Sequence, residues 1–254
     1  MTFFLKPILL FALFATALQA FEADVETGAG VWYAKASGDL TYSENGGSVS
    51  SVGDLGYKDE YNFYIFAEVT PREVSPFVPS LRLAYTSIAY NGRTKSSVTW
   101  GPFLYQADAP NKVSAEEYDA TFYYTFAEML SWISLDAGIN VKYVTTRYTI
   151  DDSSFHYDES DVTTLPQLYL HASMPVMQLP AAVELSYYYY DEGSFTLYDF
   201  RLAGRYDFET VMPHFKPSIE LGYRMHRLWL QKKSYNTKID LLLKGFYLEG
   251  SLHF

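Results

Sequence analysis

The residues best able to do chemistry are five histidines, His156, His171, His214, His226 and His253, and an acidic run from Asp151 to Asp161. That run, Asp151-Asp152-Ser153-Ser154-Phe155-His156-Tyr157-Asp158-Glu159-Ser160-Asp161, clusters the carboxylate oxygens that hard cations prefer. Its spacing is not that of an EF-hand loop, which needs a central glycine and a terminal glutamate. A solvated acidic surface loop fits it better. No histidine stands beside a serine or aspartate in a nucleophile motif, although catalytic partners are gathered by folding and not by adjacency. Gly28-Ala29-Gly30 lacks the third glycine and the following helix of a dinucleotide loop, and reads as close packing inside a strand. With no cysteine, thiolate metal sites and disulfides are excluded. The chain is read as a non-enzyme, with no metal and no cofactor.

A second ionisable set is spaced by two along apolar runs: Glu68, Arg82, Asp119, Asp136, Lys142, Glu184, Asp199, Arg201, Arg205, Glu220, Arg224, His226 and Glu249. Period-2 spacing puts them on one face of β-strands and the apolar residues on the other. Ile133, Leu135, Ala137, Ile139, Val141 and Tyr143 share a face, against Ser134, Asp136, Gly138, Asn140 and Lys142. Tyr198, Phe200, Leu202, Gly204, Tyr206 and Phe208 likewise oppose Asp199, Arg201, Ala203, Arg205 and Asp207. The runs are roughly 9–12 residues long; a sandwich strand has about 5–6 and a bilayer-crossing strand about 9–11. Short proline-rich links (71–79, 175–180, 213–217, and Met129-Leu130-Ser131) alternate with longer polar ones (36–60, 91–115, 151–161). That asymmetry describes periplasmic turns and cell-surface loops.

The expected fold is all-β: a closed antiparallel transmembrane up-and-down β-barrel of ten strands, with eight or twelve left open. The strands are placed at 22–35, 61–71, 80–91, 116–128, 132–148, 163–173, 181–191, 195–209, 217–230 and 239–254, with room for a short extra hairpin between Ser97 and Asp108. Closure is required because lipid cannot hydrogen-bond an open sheet edge. Trp32, Trp132 and Trp229, near strand ends, are assigned to the membrane interface. In so narrow a barrel side chains largely fill the lumen, and charges of both signs there are expected to pair. Tyr64, Tyr123, Tyr188 and Tyr247 would narrow it further.

Residues 1–20 read as a cleaved secretory signal peptide: Lys6, an apolar core from Pro7 to Leu18, then Leu18-Gln19-Ala20. Residues 21–254 form the barrel. Past that segment no apolar run reaches the roughly 18 residues of a helical span, and the mean hydropathy of −0.10 suits a barrel diluted by lumen residues. The net charge of −11 argues against nucleic acid as a partner. The chain ends Gly245-Phe246-Tyr247-Leu248-Glu249-Gly250-Ser251-Leu252-His253-Phe254, with Phe246, Leu248, Leu252 and Phe254 on one face. Such an ending looks like the signal read by the outer-membrane barrel assembly machinery.

Gly28-Ala29-Gly30-Val31-Trp32-Tyr33 with Ser37-Gly38-Asp39, Asp54-Leu55-Gly56, Tyr118-Asp119-Ala120-Thr121-Phe122-Tyr123-Tyr124 and the closing Gly245 to Phe254 carry a resemblance over most of the mature chain. On these short motifs it resembles the Gly-Gly family of small outer-membrane β-barrel proteins of proteobacteria and their relatives. The resemblance implies the fold and the bacterial outer membrane as location, and supplies no catalytic residues. Expected partners are outer-membrane lipid and lipopolysaccharide, for which Lys232, Lys233 and Lys238 are candidate phosphate contacts, together with the assembly machinery and periplasmic chaperones in transit. Two roles stay open: a structural or surface-interaction barrel with a filled lumen, and a narrow pore for ions or small solutes. A membrane enzyme is a weaker third.

Overall fold

Runs rich in Val, Ile, Tyr, Phe and Thr that alternate with polar residues favour pleated, half-buried strands. The computed structural model describes residues 23–42, 47–50, 52–71, 78–100, 103–126, 132–152, 154–193, 195–208, 215–231 and 237–254. The segment read as a signal peptide, His214, Lys232 and Lys233 lie outside these residues, as do most of the proline-rich links. Strands β1 (Ala23–Tyr42), β2 (Gly47–Ser50), β3 (Glu60–Pro71), β4 (Ser80–Arg93), β5 (Val98–Trp100), β6 (Phe103–Tyr105), β7 (Pro110–Thr125), β8 (Ser134–Asp151), β9 (His156–Pro175), β10 (Ala181–Asp191), β11 (Phe195–Asp207), β12 (Lys216–Gln231) and β13 (Thr237–His253) follow in order.

Ten of them form one antiparallel ring in the order β1-β3-β4-β7-β8-β9-β10-β11-β12-β13. β13 closes on β1 in a ladder from Glu26↔His253 to Tyr42↔Thr237. With the loop strands β2, β5 and β6 set aside, each strand pairs with the one before it and the one after it in sequence. The fold is thus the expected ten-stranded closed barrel. The extra hairpin is β5–β6, with Trp100 opposite Phe103.

The strands run further at the loop end than expected. β1 continues to Tyr42, β7 starts at Pro110, and β8 and β9 are paired up to Asp151↔His156. The acidic run is therefore a hairpin tip and not a loop. Its residues can pair because their strand faces alternate and they carry no proline or glycine between Tyr157 and Asp161. Asp152 makes the turn by accepting from the backbone N–H groups of Ser154 (2.7 Å) and Phe155 (2.8 Å). Close packing accounts for Gly28 and Gly30: a Cβ there would lie 2.4 Å from the Phe66 ring and 2.2 Å from the Tyr64 ring.

Candidate functional site

The outside of the ring is apolar. Leu135, Ile139, Leu168, Leu170, Leu202, Leu221, Phe246 and Leu248 are exposed on it. Aromatic residues bound this surface. Tyr33, Tyr61, Tyr118 and Tyr143 lie toward the loop end, with Tyr33 4.8 Å from Tyr61 and Tyr118 6.2 Å from Tyr143 by ring centroid. Phe126, Trp132, Phe208, Phe215 and Phe254 lie toward the turn end. From Trp132, just ahead of β8, to Tyr143 within it, about 3.3 Å per residue at a tilt of roughly 40° gives a band of roughly 28 Å.

The inside is layered. At the loop end it is a hydrophobic core: Leu40, Ile88, Val113, Val144, Leu241 and Leu243 from the strands, with Leu55, Tyr57, Trp100 and Tyr105 folded in from the loops. Gly56, at φ +69°, permits the turn that puts Leu55 there, and Asn111 Nδ2 donates to the Leu55 carbonyl at 3.0 Å. A cavity of about 70 Å³ is left among Leu40, Trp100, Tyr148 and Leu228.

Below it lies a belt of charged and polar side chains. Lys142 Nζ donates to Glu117 (2.7 Å) and Asp119 (2.9 Å). Asn140 Nδ2 donates to Asp119 (2.6 Å) and to Gln167 (2.7 Å), while Asn140 Oδ1 accepts from Thr121 (2.9 Å). Arg224 makes a forked pair with Asp199 (2.5 and 3.0 Å) and lies 4.7 Å over the Trp32 ring. His226 joins the two halves: its Nε2 is 3.0 Å from Glu117 and its Nδ1 3.6 Å from Asp199. Glu117 is on β7 and His226 on β12, with four strands between them whichever way round the ring one counts. They stand on diametrically opposite walls and touch. Lys142, Glu117 and His226 are at most 2% exposed.

Toward the turn end is a polar chamber with a cavity of about 100 Å³. Arg82 donates to Glu68 (2.8 Å), and Tyr123 to the other oxygen of Glu68 (2.5 Å). His171 has Asp136 at 2.7 Å from Nδ1 and Glu184 at 2.9 Å from Nε2. Arg205 bridges Glu26 (3.1 Å) and Asp207 (2.9 Å), Arg201 lies 3.7 Å from Asp199, and Tyr247 donates to Glu220. Glu249 faces the same chamber. The imidazoles of His171 and His226 thus direct their ring nitrogens at carboxylates, and Ser173 donates to Glu184 and not to His171. Among the described residues no group of three or more His, Cys, Asp or Glu is arranged to hold a metal ion.

The structure places the ionisable residues assigned from the sequence to the inner face on that face. Trp32 is the correction. It is 0% exposed, packed inside against Arg224 and donating from Nε1 to the Gly245 carbonyl at 3.3 Å. Its strand does not end at residue 35, so it sits mid-strand on the parity of Gly28 and Gly30, which points inward. Trp132 is exposed just before β8, and Trp229 is half-buried on the outward face near the loop end of β12. Thr121 falls on the face its alternation with Phe122 predicts, beside Asp119, whereas sequence reasoning passed over Glu117 and Gln167. The available signal for Glu117 was its place in the alternating stretch that leads into Asp119.

The tip of the β8–β9 hairpin titrates in two directions. Backbone N–H groups, Ser154's foremost, hold the Asp152 carboxyl below the usual carboxylate range, and the hydrogen bond to Asp151 holds His156 above the usual histidine value. A lowered carboxyl contributes order above its unfolded value, about 3.9, and loses it on acidification; a raised histidine contributes below about 6.5 and loses it as pH rises through its raised value. Amide protection at Ser154 and Phe155 is expected to peak between about pH 4 and pH 6.5. Protection that climbs steadily above pH 7 in exchange measurements would contradict this.

These features define the class: a closed, up-and-down, ten-stranded antiparallel β-barrel with an apolar outside and a filled inside. In the comparisons with known proteins, no protein-family model and no curated protein matches the chain. Solved structures similar to it include the attachment invasion locus protein Ail of Yersinia pestis (10% identity, 91% of this chain and 99% of that one, TM-score 0.35). The transport unit of the autotransporter AIDA-I from Escherichia coli is another (10%, 91% and 89%, TM-score 0.43). A third is the translocator domain of the autotransporter NalP from Neisseria meningitidis (10%, 97% and 95%, TM-score 0.40). The closed strand register, and not these likenesses, defines the fold.

Proposed function

We propose that this chain is an integral β-barrel of the bacterial outer membrane, exported with a cleaved signal peptide, and that it acts through its surface and not through a pore. The observation that carries the second part is the contact of Glu117 with His226 across the full width of the lumen. With Lys142, Asp199 and Arg224 it forms a floor of paired charges, capped by an apolar core. An ion would have to break buried pairs and then cross an apolar layer, and unpaired buried charge costs several kcal/mol. The polar chamber below supports a narrow-pore reading only as far as that floor.

The apolar band between two sets of aromatics supports the membrane reading, because lipid demands such an outside and a closed ladder. The resemblance to Gly-Gly outer-membrane barrels agrees with it. In this reading the C-terminal strand, with Phe246, Leu248, Leu252 and Phe254 outward, is read by the barrel assembly machinery after escort by periplasmic chaperones. The loop end projects from the cell and meets lipopolysaccharide or neighbouring molecules. No catalytic role is assigned.

The chain has no cysteine, so single cysteines report its orientation. Ser96→Cys, on the exposed loop before β5, should react with a membrane-impermeant maleimide on intact cells. Met177→Cys, in the exposed turn between β9 and β10, should react only after the outer membrane is permeabilised. Equal labelling of both on intact cells would rule out the proposed topology.

A further inference from the structure

We propose that the seam where the barrel closes, between β1 and β13, carries a site for the phosphorylated headgroup of an outer-leaflet glycolipid, formed by Lys35 and Lys244. The site rests on the membrane reading above. The ladder sets Lys35 directly opposite Lys244, and both side chains point outward and are exposed. Among the described residues neither ammonium has an ion-pair partner, whereas Arg227, an outward cation on β12, is taken up by Asp240 at 3.0 Å. Like charges directly opposite in a sheet repel and destabilise it. An anion bridging the two would convert that repulsion into attraction.

The position of the pair names the anion. The next outward residues toward the turn end are Tyr33 and Phe246, again directly opposite, with Tyr33 packed on Tyr61 and Phe246 on Tyr223 (5.3 Å). Cations one step beyond a row of aromatics lie where lipid headgroups meet water. The seam also holds its shape. Gly245 brings the strands so close that a Cβ would lie 1.9 Å from the Tyr33 carbonyl oxygen, and Trp32 ties the strands from inside. The two lysines are therefore presented on a rigid base roughly 5 Å apart at Cα. On the far wall the corresponding outward step beyond Tyr118 is Glu116, which would repel a phosphate. At the loop end of the barrel the outer leaflet offers phosphates on glycolipid headgroups, which makes the phosphorylated glycolipid the occupant.

The test is native mass spectrometry of the refolded mature protein taken from zwitterionic vesicles doped with bis-phosphorylated lipid A, its dephosphorylated form, or phosphatidylglycerol. The wild type should keep bis-phosphorylated lipid A in preference to the other two. The Lys35→Gln/Lys244→Gln variant should bind it roughly thirty-fold more weakly, from the worth of two cations at an anionic surface. Lys112→Gln, an exposed outward cation higher on β7, should change nothing. Retention unaffected by the double substitution or by dephosphorylation overturns the site, and equal retention of phosphatidylglycerol overturns the glycolipid as occupant. Insertion into undoped vesicles, read by heat-modifiable gel mobility, separates the two levels. Protein that does not insert refutes the membrane reading and the site with it, while inserted protein indifferent to the phosphates refutes the site alone.

Discussion

Lys142→Met is expected to lower the unfolding free energy of the barrel by about 3–5 kcal/mol, the usual consequence of removing one partner from a buried ion pair. Lys142 is the cation shared by Glu117 and Asp119, and it and Glu117 are out of contact with solvent. Methionine keeps much of its volume, so packing changes little and the effect is electrostatic. Glu117 is left with His226 alone, and Asp119 with Asn140. Urea titration in detergent micelles measures the loss. Adding Glu117→Gln to Lys142→Met should recover much of it, because the orphaned charge goes with its partner. A loss below about 1 kcal/mol, the value of an exposed pair, would mean that water reaches the belt and that the lumen is not sealed there.

Gly245→Val is expected to abolish closure. The atoms a Cβ would strike are the Tyr33 carbonyl oxygen at 1.9 Å and the Ala34 Cα at 2.9 Å, both backbone of the strand that completes the ring. Neither can turn aside as a side-chain tip could. Shifting β1 would break the ladder that holds it to β13 along its whole length, from Glu26↔His253 to Tyr42↔Thr237. The expected result is protein without the fast-migrating, heat-modifiable band of a closed barrel. Gly204→Val is the matched control: it lies in a barrel strand facing outward, and nothing stands within 4 Å of its added Cβ. A Gly245→Val protein that migrates like the wild type would show the seam to be looser than this geometry.

Most of the fold was legible because a barrel strand writes its two environments into alternate residues. Parity, read with the alternation of short proline-rich and long polar links, located the ten strands and the inner face of Glu68, Arg82, Asp136 and Arg201, while the close packing at Gly28 and Gly30 followed from their failure to match a dinucleotide loop. Strand ends were less legible. Beyond the apolar band the outward residues turn polar, as in Thr145, Arg147 and Thr149, so β8 and β9 lose their contrast while their pairing continues to the tip. The same misreading put Trp32 at a strand end and so on the wrong face. What no local pattern reveals is which inner residue meets which across the lumen. Glu117 and His226 are far apart in sequence and on opposite walls, and their contact follows only from the ring's closure and tilt.

That contact also carries the central claim, that the lumen is shut, and single-channel recording of the refolded mature protein in a planar bilayer tests it most directly. Protein shown to be folded by heat-modifiable mobility should give no reproducible conductance steps. Discrete, salt-dependent steps from that same preparation would contradict a lumen closed by the Glu117–His226 belt.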